Sequence, residues 1–452
     1  VPIKIDNLTK EELSRFRIFA LQVNGLEDNI DDYIDEEDIL TIEGISLENP
    51  LQQLADSLAP GIIGNDLIKK SLVLGMVGGV PKLDANNLAE KEFINLMLVG
   101  DASKGKSVLL KACHDKAPKC NYVTGDSKPS IAGLLGAVEK DELTGAFSLT
   151  AGVYPRSNGG LVILDEADKI DEPVKASLHS VMESGVVTIK KAGIDATLQA
   201  RCTTFFGANP ENSRFDISKS LVSQIKMQST MLSRMDLIWV MRDMLDEEED
   251  RRIIEAKFTK TKEVSKIDSQ LFRKYLRYCQ KYKPKILKEA QDLIGEFYLR
   301  IRKQAYNSTG MAGMPIVPRH LNALIRLSEA SAKVRLSSKV EKEDAEIAIK
   351  LFEESLYKLG MDPENKLFDL ARITGGKTIQ KKRKSELIFK ELVEQTKSGN
   401  PIDETVFKMF LKGRGYDIDD FFEVMEELKE QCLAINPRPY KWLPVLPKDL
   451  NK

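Results

Sequence analysis

Paired cysteines are missing from this chain. The five present, Cys113, Cys120, Cys202, Cys279 and Cys432, are scattered without the spacing of a disulfide framework, which points to a reducing compartment. Cys113, His114 and Cys120 look like a metal fragment but lack a fourth ligand, so they read as buried small hydrophobes. No apolar run reaches membrane-spanning length and no signal peptide opens the sequence, so an intracellular protein is expected. Charge of one sign is missing too: 67 Lys and Arg stand against 69 Asp and Glu, leaving −2. Any contact with nucleic acid must then come from local basic patches rather than a global field. There is no tandem repeat or low-complexity tract.

What is present is a 452-residue chain with 42% hydrophobic residues, enough for two to four domains with real cores. The apolar run "INLMLV" (94–99) leads into "GDASKGKS" (100–107), which fits G-x-x-x-x-G-K-[ST]. In that pattern backbone N–H groups turn toward phosphate oxygens, the lysine reaches the terminal phosphates and the hydroxyl ligates magnesium. "VLLKACHDKA" then begins like a helix, whose N-terminus adds partial positive charge where phosphate would lie. About sixty residues on, "LVIL" (161–164) is a second apolar strand that ends in Asp165 and Glu166. Carboxylates at a strand's C-terminal edge lie where open α/β sheets place ligands. Asp165 would hold magnesium through its water shell and Glu166 would polarise the attacking water.

Composition divides the chain further. Residues 1–50 include "LEDNIDDYIDEEDI", too acidic for a core and read as a solvated connector or the tail of a preceding domain, with "FRIFALQVNGLE" as a strand candidate. Residues 51–245 alternate strands with helices, as a parallel α/β sheet requires. Residues 246–360 turn helical, with apolar residues at three and four spacing in "SQLFRKYLRYCQ", "LKEAQDLIGEFYLRIRKQAY", "RHLNALIRLSEASAKVRL" and "EKEDAEIAIKLFEESLYKLG". A basic linker (361–384) precedes a small last domain (385–452) read as three helices and a strand pair.

Together "LAPGIIGNDLIKKSLVLGMVGGV", "GDASKGKS", "VEKDELTGAFSLTAG", "LDEADKI", "KAGIDATLQARCTTFFGANP", "MLSRMDLIWV" and "PRHLNALIRLSEASAKVRL" resemble, in order, the AAA+ and C-terminal portion of the minichromosome maintenance (MCM) replicative helicases, most closely the archaeal kind. The resemblance implies a P-loop ATPase core, a helical lid and a C-terminal winged helix. It implies ATP held with Mg²⁺ by Gly100, Asp101, Ala102, Ser103, Lys104, Gly105, Lys106 and Ser107, with Ser107 and Asp165 toward the metal. Ile62 and Ile63 would flank the adenine, although core packing explains two isoleucines nearly as well. Asn209 matches sensor 1, Arg234 the arginine finger and Arg319 the sensor 2 arginine, the last two acting on a neighbouring subunit's site. Both imply a ring, expected as a homohexamer.

Two hairpins would face DNA in its channel. "VVTIKKAGIDATLQ" places Lys190 and Lys191 at a tip around Ala192-Gly193, and "AVEKDELTGAFSLTAG" turns near Gly145. The last domain resembles the family's winged helix, but residues 417–430 are acidic, so a partner-binding module for replication factors is favoured over a duplex reader. The resemblance implies a cytoplasmic, nucleoid-associated location, or a nuclear one in a eukaryote. The sequence also departs from the family: Ala102 replaces a proline, Lys91 stands near a position where relatives often carry an arginine, and an N-terminal half is not in this sequence. Val1 in place of a methionine suggests a start inside a longer chain or after processing. A nucleotide- and partner-binding homologue that does not unwind DNA is the alternative function.

Overall fold

The computed structural model describes residues 34–82, 90–101, 104–140, 147–191, 193–211, 213–216, 221, 224–242, 251, 267–307 and 317–359, and in the C-terminal part 392, 395–396, 401–413, 421, 425, 429, 434–438 and 441–444. They fall into two compact units, one of residues 1–215 and 222–368, the other of residues 216–221 and 369–452. "FRIFALQVNGLE", Ala102, Ser103, Gly145, Ala192, the 361–384 linker and most of 417–430 lie outside the described residues.

Five parallel strands form the central sheet of the first unit: β1 (Leu96–Gly100), β2 (Cys120–Thr124), β5 (Leu161–Asp165), β8 (Thr203–Ala208) and β9 (Leu237–Met241), in the order β2-β5-β8-β1-β9. Two antiparallel hairpins, β3 (Gly136–Lys140) with β4 (Phe147–Ala151) and β6 (Val186–Lys191) with β7 (Ile194–Gln199), stand beside it. β1, β5, β8 and β9 are buried throughout, as continuous apolar runs in a sheet covered on both faces should be. At the β9 edge, Ser355 substitutes for a missing strand: its hydroxyl accepts the Ile238 N–H at 3.0 Å and donates to the Ile238 carbonyl at 2.9 Å.

The four lid helices are Ser269–Cys279, Lys288–Asn307, Pro318–Val334 and Lys342–Lys358, close to the four periodic segments. Asp268 starts the first by accepting the N–H groups of Gln270 and Leu271 at 2.7 and 2.9 Å. These helices share one hydrophobic core with the sheet and belong to the same compact unit, so the expected division at 245 is not a separation of cores. Buried polar ties cross the seam: Lys333 donates to the Gly79 carbonyl at 2.6 Å, Glu329 accepts the Val80 N–H at 2.9 Å, and Arg326 pairs with Asp236.

Within the acidic segment, Glu36–Ser46 is an α-helix. Its acids occupy the first turn, where a helix N-terminus favours negative charge, and Asp35 accepts the Asp38 N–H at 2.8 Å. Ile42 is fully buried and Lys274 reaches Asp38 at 2.5 Å, tying this helix to the lid.

In the second unit, a helix Glu404–Gly413 accompanies a three-stranded antiparallel sheet of β10 (Ile402–Asp403), β12 (Lys441–Pro444) and β11 (Ala434–Arg438), in that order. The expected strand pair is therefore joined by a two-residue third strand. Phe407, Leu411, Phe421, Met425 and Trp442 form its core with Leu392.

Candidate functional site

The order β5-β8-β1 makes three motif-bearing strands direct neighbours, and their parallel register brings their C-terminal ends to one edge. Gly100 ends β1, Asp165 ends β5, and Asn209 follows β8. Gly105 has φ +79, a left-handed conformation that glycine adopts without strain, and it turns the loop into the helix Lys106–Lys116. No side-chain cap from the described residues occupies that helix start, which leaves its first N–H groups for an anion. This is a cradle that fits phosphate.

Lys106 is buried, and its ammonium donates to the carbonyls of Gly100 and Asp101 at 2.6 and 2.7 Å. Burial lowers its pKa from the ordinary lysine value, against the charges of Asp101, Asp165 and Asp168. Of the expected loop contacts, the Asp101 side chain is otherwise engaged: it accepts the Phe215 N–H at 2.8 Å. An acid aimed at phosphate would repel it, so this clamp turns the negative charge to the loop beyond β8. Ile62 lies against the loop, its Cδ1 3.2 Å from where a Gly105 Cβ would stand, whereas Ile63 is only half-buried nearby in sequence.

Asp165 is buried, and both of its oxygens are engaged: Oδ2 accepts the Tyr122 hydroxyl at 2.6 Å and Oδ1 accepts the Glu166 N–H at 2.9 Å. Glu166 itself sits at φ 52, an unusual backbone for a non-glycine residue and one that recurs at functional sites. Lys169 bridges Asp126 at 2.7 Å and Glu166 at 3.2 Å. A hydrogen bond shared with Asp126, then burial, raises the Glu166 carboxyl above its usual value. Asp168 accepts the Asn209 N–H at 2.9 Å, so the acidic strand end and the candidate sensor are joined. Sequence reasoning passed over Tyr122, Asp126 and Asp168. Only the third residue beyond Asp165 carried a local signal, as a further acid in the same motif.

Arg234 and Arg319 are placed elsewhere, around a cavity of about 160 Å³ that Lys91, Asp236 and Arg326 also line. Both reach one carboxylate: Arg234 to Glu183 Oε2 at 2.8 Å and Arg319 to Oε1 at 2.5 Å. Burial raises the Glu183 carboxyl, but the Arg234 hydrogen bond and both guanidinium charges outweigh it and hold the carboxyl below its usual range. Lys91 pairs with Asp236 at 3.6 Å, yet burial and the neighbouring Arg326 and Arg319 bring it down to about 8.

At the β6-β7 tip, Gly193 has φ +82, and Lys191 pairs in register with Ile194 across a two-residue loop. Lys190 is exposed but pairs with Asp195 at 2.9 Å, so Lys191 carries the less compensated charge. The second hairpin packs alongside, a Gly136 Cβ falling 3.0 Å from Ile189.

A family model described as the MCM P-loop domain matches residues 35–260, and one described as the MCM AAA-lid domain matches residues 270–356. The chain belongs to the MCM family. It is 36% identical over 351 residues to the minichromosome maintenance protein MCM of Saccharolobus solfataricus, covering 76% of this chain and 50% of that protein. Against the DNA replication licensing factor mcm4 of Xenopus tropicalis it is 34% identical over 397 residues, 84% of this chain and 45% of that protein. The zygotic DNA replication licensing factor mcm3 of Xenopus laevis gives 34% over 366 residues, 69% and 45%. The chain thus spans half or less of the length of these curated relatives. Family membership carries the P-loop AAA+ fold and lid, and a nucleotide-binding ATPase type. No helix among the described residues is long and apolar enough to cross a membrane.

Proposed function

We propose that this chain is the ATP-driven motor portion of an MCM-type replicative helicase, hydrolysing ATP at subunit interfaces and moving along DNA. The observation that carries the reading is a division: the phosphate cradle gathers Lys106, Asp165, Glu166 and Asn209 at one sheet edge, while Arg234 and Arg319 converge on a separate carboxylate. Among the described residues, a loop with its acids but without an arginine, and an arginine pair without a catalytic acid, would complement one another between two copies. A homohexameric ring supplies that arrangement at every interface.

ATP would lie across the ends of β1, β5 and β8, with Ile62 and Ile63 beside the adenine. Lys106 exchanges its two carbonyl partners for the terminal phosphates. Glu166 polarises the attacking water, Asn209 orients it, and the neighbour's Arg234 and Arg319 neutralise the charge that spreads over the transferred group. Ser107 and Asp165 would hold Mg²⁺, which would supply positive charge to offset that of the phosphates. Lys190 and Lys191 track single-strand phosphates without reading sequence. The second unit is assigned as a winged helix that binds replication partners, and the protein as DNA-associated, on the nucleoid or in a nucleus.

Strand displacement measured alongside ATP turnover, with and without DNA, tests this. ATP-dependent displacement with DNA-stimulated turnover supports the motor. Nucleotide binding without either, in a verified ring, leaves the regulatory homologue.

A further inference from the structure

Four cations and two carboxylates surround the 160 Å³ cavity: Lys91, Arg234, Arg319 and Arg326 against Glu183 and Asp236. Asp236 is deeply buried and already committed to Arg326, to Lys91 and to the Asn95 N–H at 2.7 Å. Glu183 is different. It is about half exposed, 51%, and alone answers both Arg234 and Arg319. Arg234 also keeps one donor in reserve: its buried Nε finds no acceptor among the described residues, although Nη1 reaches the Thr230 carbonyl at 2.7 Å. A pair of guanidinium groups has more donors than one carboxylate can receive.

We infer that Glu183 is a built-in counter-anion, which parks Arg234 and Arg319 on the free face of each subunit until a terminal phosphate presented by a second copy of this chain displaces it. The inference rests on the reading that these arginines act across an interface. The exchange is favoured by charge and geometry together. A phosphate brings about −1.5 to −2 and three acceptor oxygens against one charge and two oxygens. Arg319 and Glu183 are both about half exposed, a setting in which ion pairs are held weakly enough to yield. Parking holds both arginines on one carboxylate, with the Thr230 carbonyl as a second partner of Arg234, and it makes phosphate compete with Glu183 for them. Glu183 is thus a positioning residue that acts through Arg234 and Arg319.

Steady-state ATPase of the full chain, at an oligomeric state fixed by light scattering, separates competition from catalysis. Glu183→Gln keeps the shape but removes the charge. The expected result is a KM for ATP lower by about three- to tenfold, with kcat no lower than the parent and the difference shrinking as salt rises. Parental KM, or a kcat loss like that of Arg234→Ala, overturns the inference. Failure of both Glu183→Gln and Glu183→Ala to assemble overturns it as well, assigning Glu183 to stability. A mixture of Arg234→Ala and Lys106→Ala subunits tests the underlying reading separately. Recovered ATPase in that mixture, with parental kinetics in Glu183→Gln, removes the counter-anion alone; no recovery in a co-assembled mixture removes the trans reading itself.

Discussion

The Tyr122 hydroxyl donates to Asp165 Oδ2 at 2.6 Å, across the pairing of β2 with β5. A short O–H···O⁻ bond of this kind fixes the carboxylate's plane, and burial followed by Asp165 itself raises the phenol's pKa, keeping it a donor. His114 packs edge-on against the same ring at 5.8 Å, which limits its rotation. With Oδ1 taken by the Glu166 N–H, the orientation of the Asp165 carboxylate, proposed above to hold Mg²⁺, is set by its neighbours.

Tyr122→Phe should therefore raise the magnesium concentration needed for half-maximal ATPase by about tenfold, the size typical of an outer-shell loss. Binding of a fluorescent ATP analogue without magnesium should be little changed. A magnesium titration that overlays the parent's would show that Asp165 needs no such support.

The second prediction concerns Lys106 and Glu166. Lys106→Ala removes the charge proposed to reach the terminal phosphates and should abolish hydrolysis. Glu166→Gln should retain bound ATP but not cleave it, since only activation of the water is lost. Rapid turnover by Glu166→Gln would show that the acid of this site has been misassigned.

The sheet and its P-loop were legible because each motif carries its own local physics: an apolar run, a glycine able to reach positive φ at 105, and a helix behind it. The lid helices were legible from periodicity alone. Tyr122 and Glu183 were not, because their partners lie 43 residues away, at Asp165, and 51 and 136 residues away, at Arg234 and Arg319; no spacing rule links them. The acidic stretch hid its helix for the opposite reason. Charge density suggested a solvated connector, while Asp35 and Asp38 were serving as a helix start whose buried payload is the single Ile42.

A third prediction is one of pH. His320 is buried, its Nδ1 accepts the Val317 N–H at 3.1 Å, and burial lowers it to about 4, with Asp236 opposing and Arg319 adding. The unfolded chain binds this proton near 6.5, so its full stability is present above that value and declines as pH falls toward 4. The loss amounts to about 2–3 kcal/mol. In denaturant titrations at pH 7 and pH 4.5, His320→Asn, which keeps an acceptor, should show a smaller drop than the parent. An equal drop would place the acid sensitivity in other groups.

The fourth prediction ties chemistry to movement, and it separates two adjacent lysines. Lys190 is compensated by Asp195 at 2.9 Å, whereas Lys191 stands at the tip with less opposing charge. If the tip holds backbone phosphate, Lys191→Ala should lower the slope of log affinity against log salt by up to about 0.7 for single strands. Lys190→Ala should lower it less, because Asp195 already neutralises part of that charge. Asp195→Asn should do the reverse, freeing Lys190 and steepening the slope. In the ring-forming protein, Lys191→Ala should also stop strand displacement, since the hairpin would then move without a grip. A solvated turn residue predicts no change in either measurement. Parental unwinding by a well-folded Lys191→Ala protein would end the claim that this hairpin drives DNA.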